Sequence, residues 1–123
     1  MKKILIVDDE HDIEPLFQQR FRKELKEGEI EFHFCFSAEE ALQYIQNLNQ
    51  PDLVMVLSDI NMPGMSGLDL LRQIKHDHQA MKVLMITAYG DSKNRQDAMQ
   101  AGAADFLIKP INFNLLKERL ENL

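Results

Sequence analysis

The sequence is poor in cysteine, since Cys35 is the only one among 123 residues. An internal disulfide is therefore excluded, and a reducing compartment fits. No apolar run approaches the ~18 residues of a membrane-spanning helix. The start of the chain does not resemble a signal peptide, because its short apolar run is interrupted by Asp8, Asp9 and Glu10. We therefore expect a cytoplasmic protein that makes no membrane contact.

Basic charge is also scarce. Lys and Arg number 14 against 20 Asp and Glu, a net charge of −6. A nucleic-acid-binding surface needs a basic patch, so we expect no nucleic-acid partner for this domain. Repeats, low-complexity tracts and linkers are missing from the sequence. With 45% hydrophobic and 28% charged residues, residues 1–123 are predicted to form one globular domain.

Four short apolar runs end abruptly in residues suited to binding a phosphate or a metal ion. These residues are Asp8, Asp9, Asp59, Thr87 and Lys109. Apolar runs of this kind, separated by helical patterns, are typical of buried parallel strands. Ligands of such sheets bind outside the carboxyl ends of the strands. We therefore expect these side chains to converge on one site, although they lie far apart in the sequence.

The whole chain reads as five rounds of strand and helix. Strands are predicted at residues 3–7, 30–36, 53–58, 82–86 and 105–108. This alternation predicts an α/β fold with a parallel sheet, helices on both faces and right-handed crossovers. The second strand alternates apolar residues with Glu31, His33 and Cys35, so we place it at the sheet edge with that face wet.

Caps and breakers indicate the helix boundaries. The first helix is predicted from near Asp12 to Lys26. The fourth ends at Gly102 and carries few large apolar residues, so we expect it to be weakly anchored. The second helix is predicted to place Leu48 on its core face. The other predicted cap and breaker residues are Pro15 and Gly28 for the first helix, Ser37 and residues 49–51 for the second, Ser66 for the third, Asp91 or Ser92 for the fourth and Asn112 for the fifth.

Taken together, these features resemble the receiver domain of two-component response regulators. The resemblance covers essentially the whole chain. Each of its motifs alone is weak evidence for the family, but all of them together, in the order given next, are highly specific. They are Val7-Asp8-Asp9-Glu10, the segment from Ser58 to Gly67, Thr87-Ala88, Ala101-Gly102-Ala103 and Lys109-Pro110. The resemblance implies a flavodoxin-like, doubly wound (βα)5 sandwich with a five-stranded parallel sheet in the order 2-1-3-4-5.

The resemblance also implies a role for each site residue. Asp59 corresponds to the phosphoacceptor, and Thr87 and Lys109 to the groups that contact the phosphoryl group. A cis peptide bond is implied between Lys109 and Pro110. The implied Mg²⁺ ligands are Asp8, Asp9, Asp59 and the main-chain carbonyl of Asn61. The implied switch residues are Thr87 and Phe106, although a simple core role for Phe106 is about as well supported.

The function implied is two-component phosphorelay signalling. A histidine kinase or a phosphotransfer protein would supply the phosphoryl group, and the surface of the fourth helix, fifth strand and fifth helix would control a downstream effector domain or protein. The domain would catalyse only its own phosphorylation and dephosphorylation. The chain ends one helix after Lys109, so we expect no effector domain within it. Whether it stands alone, and whether it forms a homodimer through the fourth and fifth predicted helices, stays open.

Three alternative functions fit these residues less well. A phosphorylation-independent receiver-like interaction module usually lacks acceptor-site residues, and none is missing here. A Mg²⁺-dependent phosphohydrolase needs a second acid where this chain has Asn61. A flavin site would place a phosphate against Asp8, Asp9 and Glu10, which would repel it. Finally, Asn61 and Tyr89 flank the predicted path of water to an acyl phosphate, so we expect the Tyr89 ring to slow its hydrolysis.

Overall fold

A computed structural model describes residues 2–47 and 53–122 of the chain. Its strands form one parallel sheet in the order β2-β1-β3-β4-β5. The strands are β1 (Lys2–Val7), β2 (Ile30–Cys35), β3 (Leu53–Asp59), β4 (Lys82–Thr87) and β5 (Asp105–Ile108). The predicted α/β class, strand order and edge position of the second strand are confirmed.

Helices cover both faces of this sheet. In the described residues they are α1 (Ile13–Arg20), α2 (Arg22–Lys26), α3 (Ala38–Gln46), α4 (Gly67–Asp77), α5 (Ser92–Gln100) and α6 (Phe113–Glu121). One apolar core joins the sheet to α3, α4 and α5, and the other joins it to α1 and α6. Successive strand residues alternate between the two cores: Leu5 and Val7 belong to the first, and Ile4 and Ile6 to the second. None of the described helices is long and apolar enough to cross a membrane.

The predicted helix caps are present. Four side chains accept a backbone N–H at the starts of their helices: Ser37 for α3, Ser66 for α4, Asp91 for α5 and Asn112 for α6. Such caps satisfy orphan donors of the first turn and fix where each helix begins. The scarcity of large apolar residues in the fourth predicted helix leaves Ala98 as the buried residue of α5, which supports the weak anchoring predicted for it.

The first predicted helix is interrupted at Phe21, so its predicted continuity was wrong. There ψ is 22°, outside the helical range. The Phe21 ring is buried among Phe17, Phe32 and Phe113, with centroid distances of 5.9, 5.1 and 6.1 Å. The Phe21 N–H still donates to the Phe17 carbonyl at 2.9 Å. The distortion therefore accompanies insertion of the ring into an aromatic cluster and does not end the helical path.

The wet face predicted for β2 was wrong for His33 and Cys35, although Glu31 is exposed as predicted. Cys35 is buried in the core beneath α3, and His33 stacks on Tyr44 of α3 with ring centroids 3.9 Å apart. The helix α3 covers this face, which a strand-by-strand reading does not reveal. Burial, followed by the charge of Glu40, raises the pKa of the Cys35 thiol to about 12, which agrees with an inert cysteine. Leu48 and the predicted stop at 49–51 lie outside the described residues.

Candidate functional site

The carboxyl ends of β1, β3, β4 and β5 meet at one edge of the sheet, and the predicted site residues meet there. Asp8, Asp59 and Thr87 are only 1%, 4% and 0% exposed. The ladder pairs Asp59 with Ile86, and Thr87 with Ile108, so the residues that end each strand lie side by side. Three buried polar groups in one place are costly unless they are paired or bind a ligand.

Three carboxylates form the acidic part of the site. One oxygen from each of Asp8, Asp9 and Asp59 lies within 4.8 Å of the others. Backbone N–H groups hold two of them: Glu10 donates to Asp8 Oδ1 at 2.9 Å, and Asn61 donates to Asp59 Oδ1 at 3.3 Å. Asp59 Oδ2 accepts from the Lys109 ammonium at 2.8 Å, so the oxygens left for a cation are those of Asp9 and the second oxygen of Asp8.

The electrostatics of this cluster favour a bound cation. Burial is the largest influence on Asp8 and, with the charge of Asp59, raises its pKa from 3.8 to about 6. The Glu10 N–H and the charge of Lys109 oppose that rise without cancelling it. Clustered carboxylate oxygens of this kind are the ligands that Mg²⁺ accepts in proteins. The donor set therefore fits Mg²⁺.

Lys109 brings the one ammonium group of the predicted set to the site. Its Nζ donates to Asp59 Oδ2 at 2.8 Å and lies 3.9 Å from Asp8 Oδ2. Burial works against its charged form, but the hydrogen bond to Asp59 and the charges of Asp59 and Asp8 outweigh this and raise the pKa of Lys109. Its backbone N–H donates to the Thr87 carbonyl at 2.9 Å. The Lys109–Pro110 peptide bond is cis, as the resemblance implies.

The Thr87 hydroxyl is a buried polar group without a partner among residues 2–47 and 53–122. Its Oγ1 makes no hydrogen bond within the described part of the chain, although it lies at the end of β4 beside the carboxylates. A buried hydroxyl left unpaired costs about 1–3 kcal/mol. An oxygen-rich ligand bound over Asp59 would give this hydroxyl an acceptor.

Phe106 and Tyr89 are the two other side chains to which the sequence analysis gave a role. Phe106 is half-buried on β5 against the core, and the Arg95 guanidinium of α5 stands 5.1 Å from its ring centroid. Tyr89 is 87% exposed, so in this conformation its ring does not cover Asp59. The structure thus brings together the five residues at the strand ends, whereas the roles predicted for Phe106 and Tyr89 depend on a conformational change.

The sequence alone predicted no role for two neighbours of the site, Ser58 and Gly67. The Ser58 hydroxyl donates to the Asp59 carbonyl at 3.0 Å, and a Cβ added at Gly67 would lie 2.0 Å from that same oxygen. The sequence did carry a signal for Gly67, because glycine is a poor helix former yet follows the helix cap Ser66 directly. For Ser58 the only signal is a small hydroxyl within an apolar strand.

Comparison with known proteins gives a consistent picture. The family model of the response regulator receiver domain matches residues 4–121. Chemotaxis protein CheY-3 of Vibrio cholerae is 34% identical, over 98% of this chain and 90% of that protein. Two-component response regulator PhoP of Pseudomonas aeruginosa is 33% identical, over 98% of this chain but only 51% of PhoP. A response regulator receiver domain protein from Clostridium thermocellum has a TM-score of 0.86 and 32% identity, over 99% of this chain and 93% of that structure.

Proposed function

The chain belongs to the response regulator receiver domain family, and from that premise we propose that Asp59 accepts a phosphoryl group in a two-component phosphorelay. Receiver domains are signalling switches and do not turn over an external metabolite. One observation carries the proposal. The buried Asp59 carboxylate receives the Lys109 ammonium at 2.8 Å and lies at the same sheet edge as the unpaired hydroxyl of Thr87.

The proposed reaction transfers a phosphoryl group from a phosphohistidine of a histidine kinase or phosphotransfer protein. An Asp59 carboxylate oxygen attacks phosphorus, the P–O bond forms as the P–N bond breaks, and the imidazole leaves with the electron pair. Lys109 offsets negative charge on the phosphoryl oxygens, and the Thr87 hydroxyl donates to one of them. Positioning and charge neutralisation account for most catalysis of such transfers.

The Asp8, Asp9 and Asp59 carboxylates and the Asn61 main-chain carbonyl are the proposed ligands of Mg²⁺. When bound, Mg²⁺ neutralises the repulsion between the acidic cluster and the incoming phosphoryl oxygens. Asp8 and Asp9 hold no phosphoryl group themselves. Their part is to hold the cation beside the acceptor carboxylate.

The phosphoryl group at Asp59 carries about −1.5 to −2 of charge and three acceptor oxygens, in place of the single negative charge of the free carboxylate. We expect the Thr87 hydroxyl to move toward one of these oxygens, and the space that it leaves to admit an inward-turned Phe106. The surface of α5, β5 and α6 then rearranges toward an effector domain or protein, or toward a second copy of the chain. Because α5 buries only Ala98 among its residues, a shift between two packings of this helix requires little disruption.

Intact mass after incubation with acetyl phosphate tests the acceptor assignment. We expect wild type to gain one phosphoryl group in the presence of Mg²⁺ and none in excess EDTA. Asp59→Asn should show no gain, and the matched control Asp69→Asn, at an exposed aspartate on α4, should behave as wild type. A gain of equal size in Asp59→Asn would contradict the proposal. If wild type gains nothing, the same test with a histidine kinase as donor separates refusal of the small donor from failure of the proposal.

A further inference from the structure

We propose that Ser58 and Gly67 are positioning residues that fix the backbone of Asp59 for phosphoryl transfer. This inference rests on the function proposed above. The two residues come from different elements, β3 and α4, yet both contact the same carbonyl oxygen. Together they restrain the backbone at Asp59, the residue that carries the acceptor side chain.

Ser58 supplies a hydrogen bond from within the strand. Its neighbours Met55, Val56 and Leu57 are buried apolar residues of β3, and Ser58 itself is 0% exposed. A buried hydroxyl needs an acceptor, and Ser58 Oγ finds it in the Asp59 carbonyl at 3.0 Å. The bond spans one peptide unit, so it restrains the backbone dihedral angles between Ser58 and Asp59.

Gly67 packs against the Asp59 carbonyl from α4. An added Cβ would lie 2.0 Å from the Asp59 oxygen and 2.7 Å from the Ile60 Cα, distances that no side chain tolerates. The Gly67 N–H donates to the Ile60 carbonyl at 2.8 Å. The first residue of α4 therefore lies directly against the backbone of residues 59 and 60, and only glycine permits that approach.

The pairing with β4 completes the restraint. The Ile60 N–H donates to the Ile86 carbonyl at 3.0 Å, so the peptide between Asp59 and Ile60 is bordered by β4 on one side and by Gly67 on another. A change in this peptide would move the Asp59 carboxylate relative to Lys109, and would also move Asn61, whose N–H holds Asp59 Oδ1 at 3.3 Å. Misplacement of a reacting group by a fraction of an ångström lowers transfer rates strongly.

The decisive variant is Ser58→Ala, which removes the hydroxyl and leaves the strand apolar. We expect its phosphorylation rate with acetyl phosphate to fall about fivefold to tenfold, the effect of one lost hydrogen bond. Its Mg²⁺ dissociation constant, measured by calorimetry without a phosphodonor, should rise by about threefold or more. The amide resonances of Ile60, Asn61 and Gly67 should shift as well.

Two further variants separate positioning from stability. Ser37→Ala also removes a serine hydroxyl that holds one backbone bond, at the start of α3, so it should lower the melting temperature without changing the rate or Mg²⁺ affinity. Ser58→Thr keeps the hydroxyl and suits a strand, so it should recover most of the rate. If its extra methyl group prevents folding, the comparison of Ser58→Ala with Ser37→Ala is sufficient to separate positioning from stability.

The inference is overturned if Ser58→Ala keeps the wild-type rate and Mg²⁺ affinity. It is also overturned if a folded Ser58→Thr is as slow as the alanine variant. Failure of the proposed function would look different, because wild type itself would then gain no phosphoryl group at Asp59. In that case Mg²⁺ affinity and the amide shifts still show whether Ser58 positions the carboxylate.

Discussion

Asp8 is almost completely buried beside a second carboxylate, so its ionisation opposes folding when no cation is bound. Its pKa of about 6 in the folded protein exceeds the ordinary 3.8, which means that the folded state holds this proton more tightly than the unfolded state. The stability that Asp8 contributes is therefore present below pH 3.8 and is lost as the pH rises through 6. The loss amounts to about 3 kcal/mol.

The substitution Asp8→Asn tests this balance. We compare the free energies of unfolding of wild type and variant without divalent cations. The stability of wild type relative to the variant should fall by about 2–3 kcal/mol between about pH 4 and pH 7. Mg²⁺ should stabilise wild type at neutral pH and leave the variant nearly unaffected. Denaturant unfolding across this range measures both effects, with the exposed Asp12→Asn as control. A pH-independent difference would contradict the raised pKa.

Thr87 is a second buried polar group that destabilises the resting fold. Because its buried hydroxyl has no partner in the described residues, Thr87→Val should keep or raise the free energy of unfolding by up to about 1 kcal/mol. The variant should nevertheless lose the shift of α5 resonances on phosphorylation. Chemical denaturation and amide spectra measure the two effects, and Thr87→Ser, which retains the hydroxyl, should keep the response. A clear loss of stability in the valine variant would mean that the hydroxyl is already bonded.

Tyr89 bears on the lifetime of the phosphorylated state. Its ring is 87% exposed and is predicted to flank the path of water to the acyl phosphate. We expect Tyr89→Ala to lose its phosphoryl group several-fold faster, and Met99→Ala, at another exposed apolar side chain, to decay like wild type. Intact mass at intervals after removal of the donor gives the rates. Equal or slower decay in Tyr89→Ala would remove this role.

Among the secondary-structure elements, α5 and α4 differ in how firmly they are attached. Helix α4 buries Leu70, Leu71 and Ile74, whereas α5 buries Ala98. Helices with little buried apolar surface open at low free energy. We expect amide hydrogens of α5 to exchange at least tenfold faster than those of α4 under native conditions, as measured by hydrogen–deuterium exchange. Similar protection of both helices would contradict a mobile α5.

The elements were predictable where the signal is local. Caps such as Ser37 and Asn112, and apolar runs that end in Asp8 or Asp59, encode their structure within a few residues. The interruption at Phe21 and the burial of Cys35 were not predictable in this way. Both depend on side chains from distant elements, since aromatic residues of β2 and α6 surround Phe21 and α3 covers Cys35.

The site likewise has one part that the sequence predicts and another that it does not. Strand ends of a parallel sheet meet at one edge, so the convergence of Asp59, Thr87 and Lys109 followed from the order of elements alone. The contact of Gly67 with the Asp59 carbonyl depends on how closely α4 approaches β3. Helix–strand distances of that kind are fixed by packing, and a single sequence does not report them.

For the whole molecule, the site exists only when the sheet is assembled, because four strands each contribute a part of it. In the proposed switch, Thr87 and Phe106 link that edge to the surface of α5, β5 and α6. The proposed switch depends on a covalent bond between Asp59 and a phosphoryl group. Identifying the phosphorylated residue is therefore the most direct test.

Borohydride reduction identifies the residue, because it converts an acyl phosphate of aspartate into homoserine. Wild type would be phosphorylated in the presence of Mg²⁺, reduced at once and digested, and the peptides sequenced by mass spectrometry. We predict homoserine at position 59, with none at positions 8 and 9 and none when the donor is omitted. Homoserine at another aspartate, with position 59 unchanged, would contradict it.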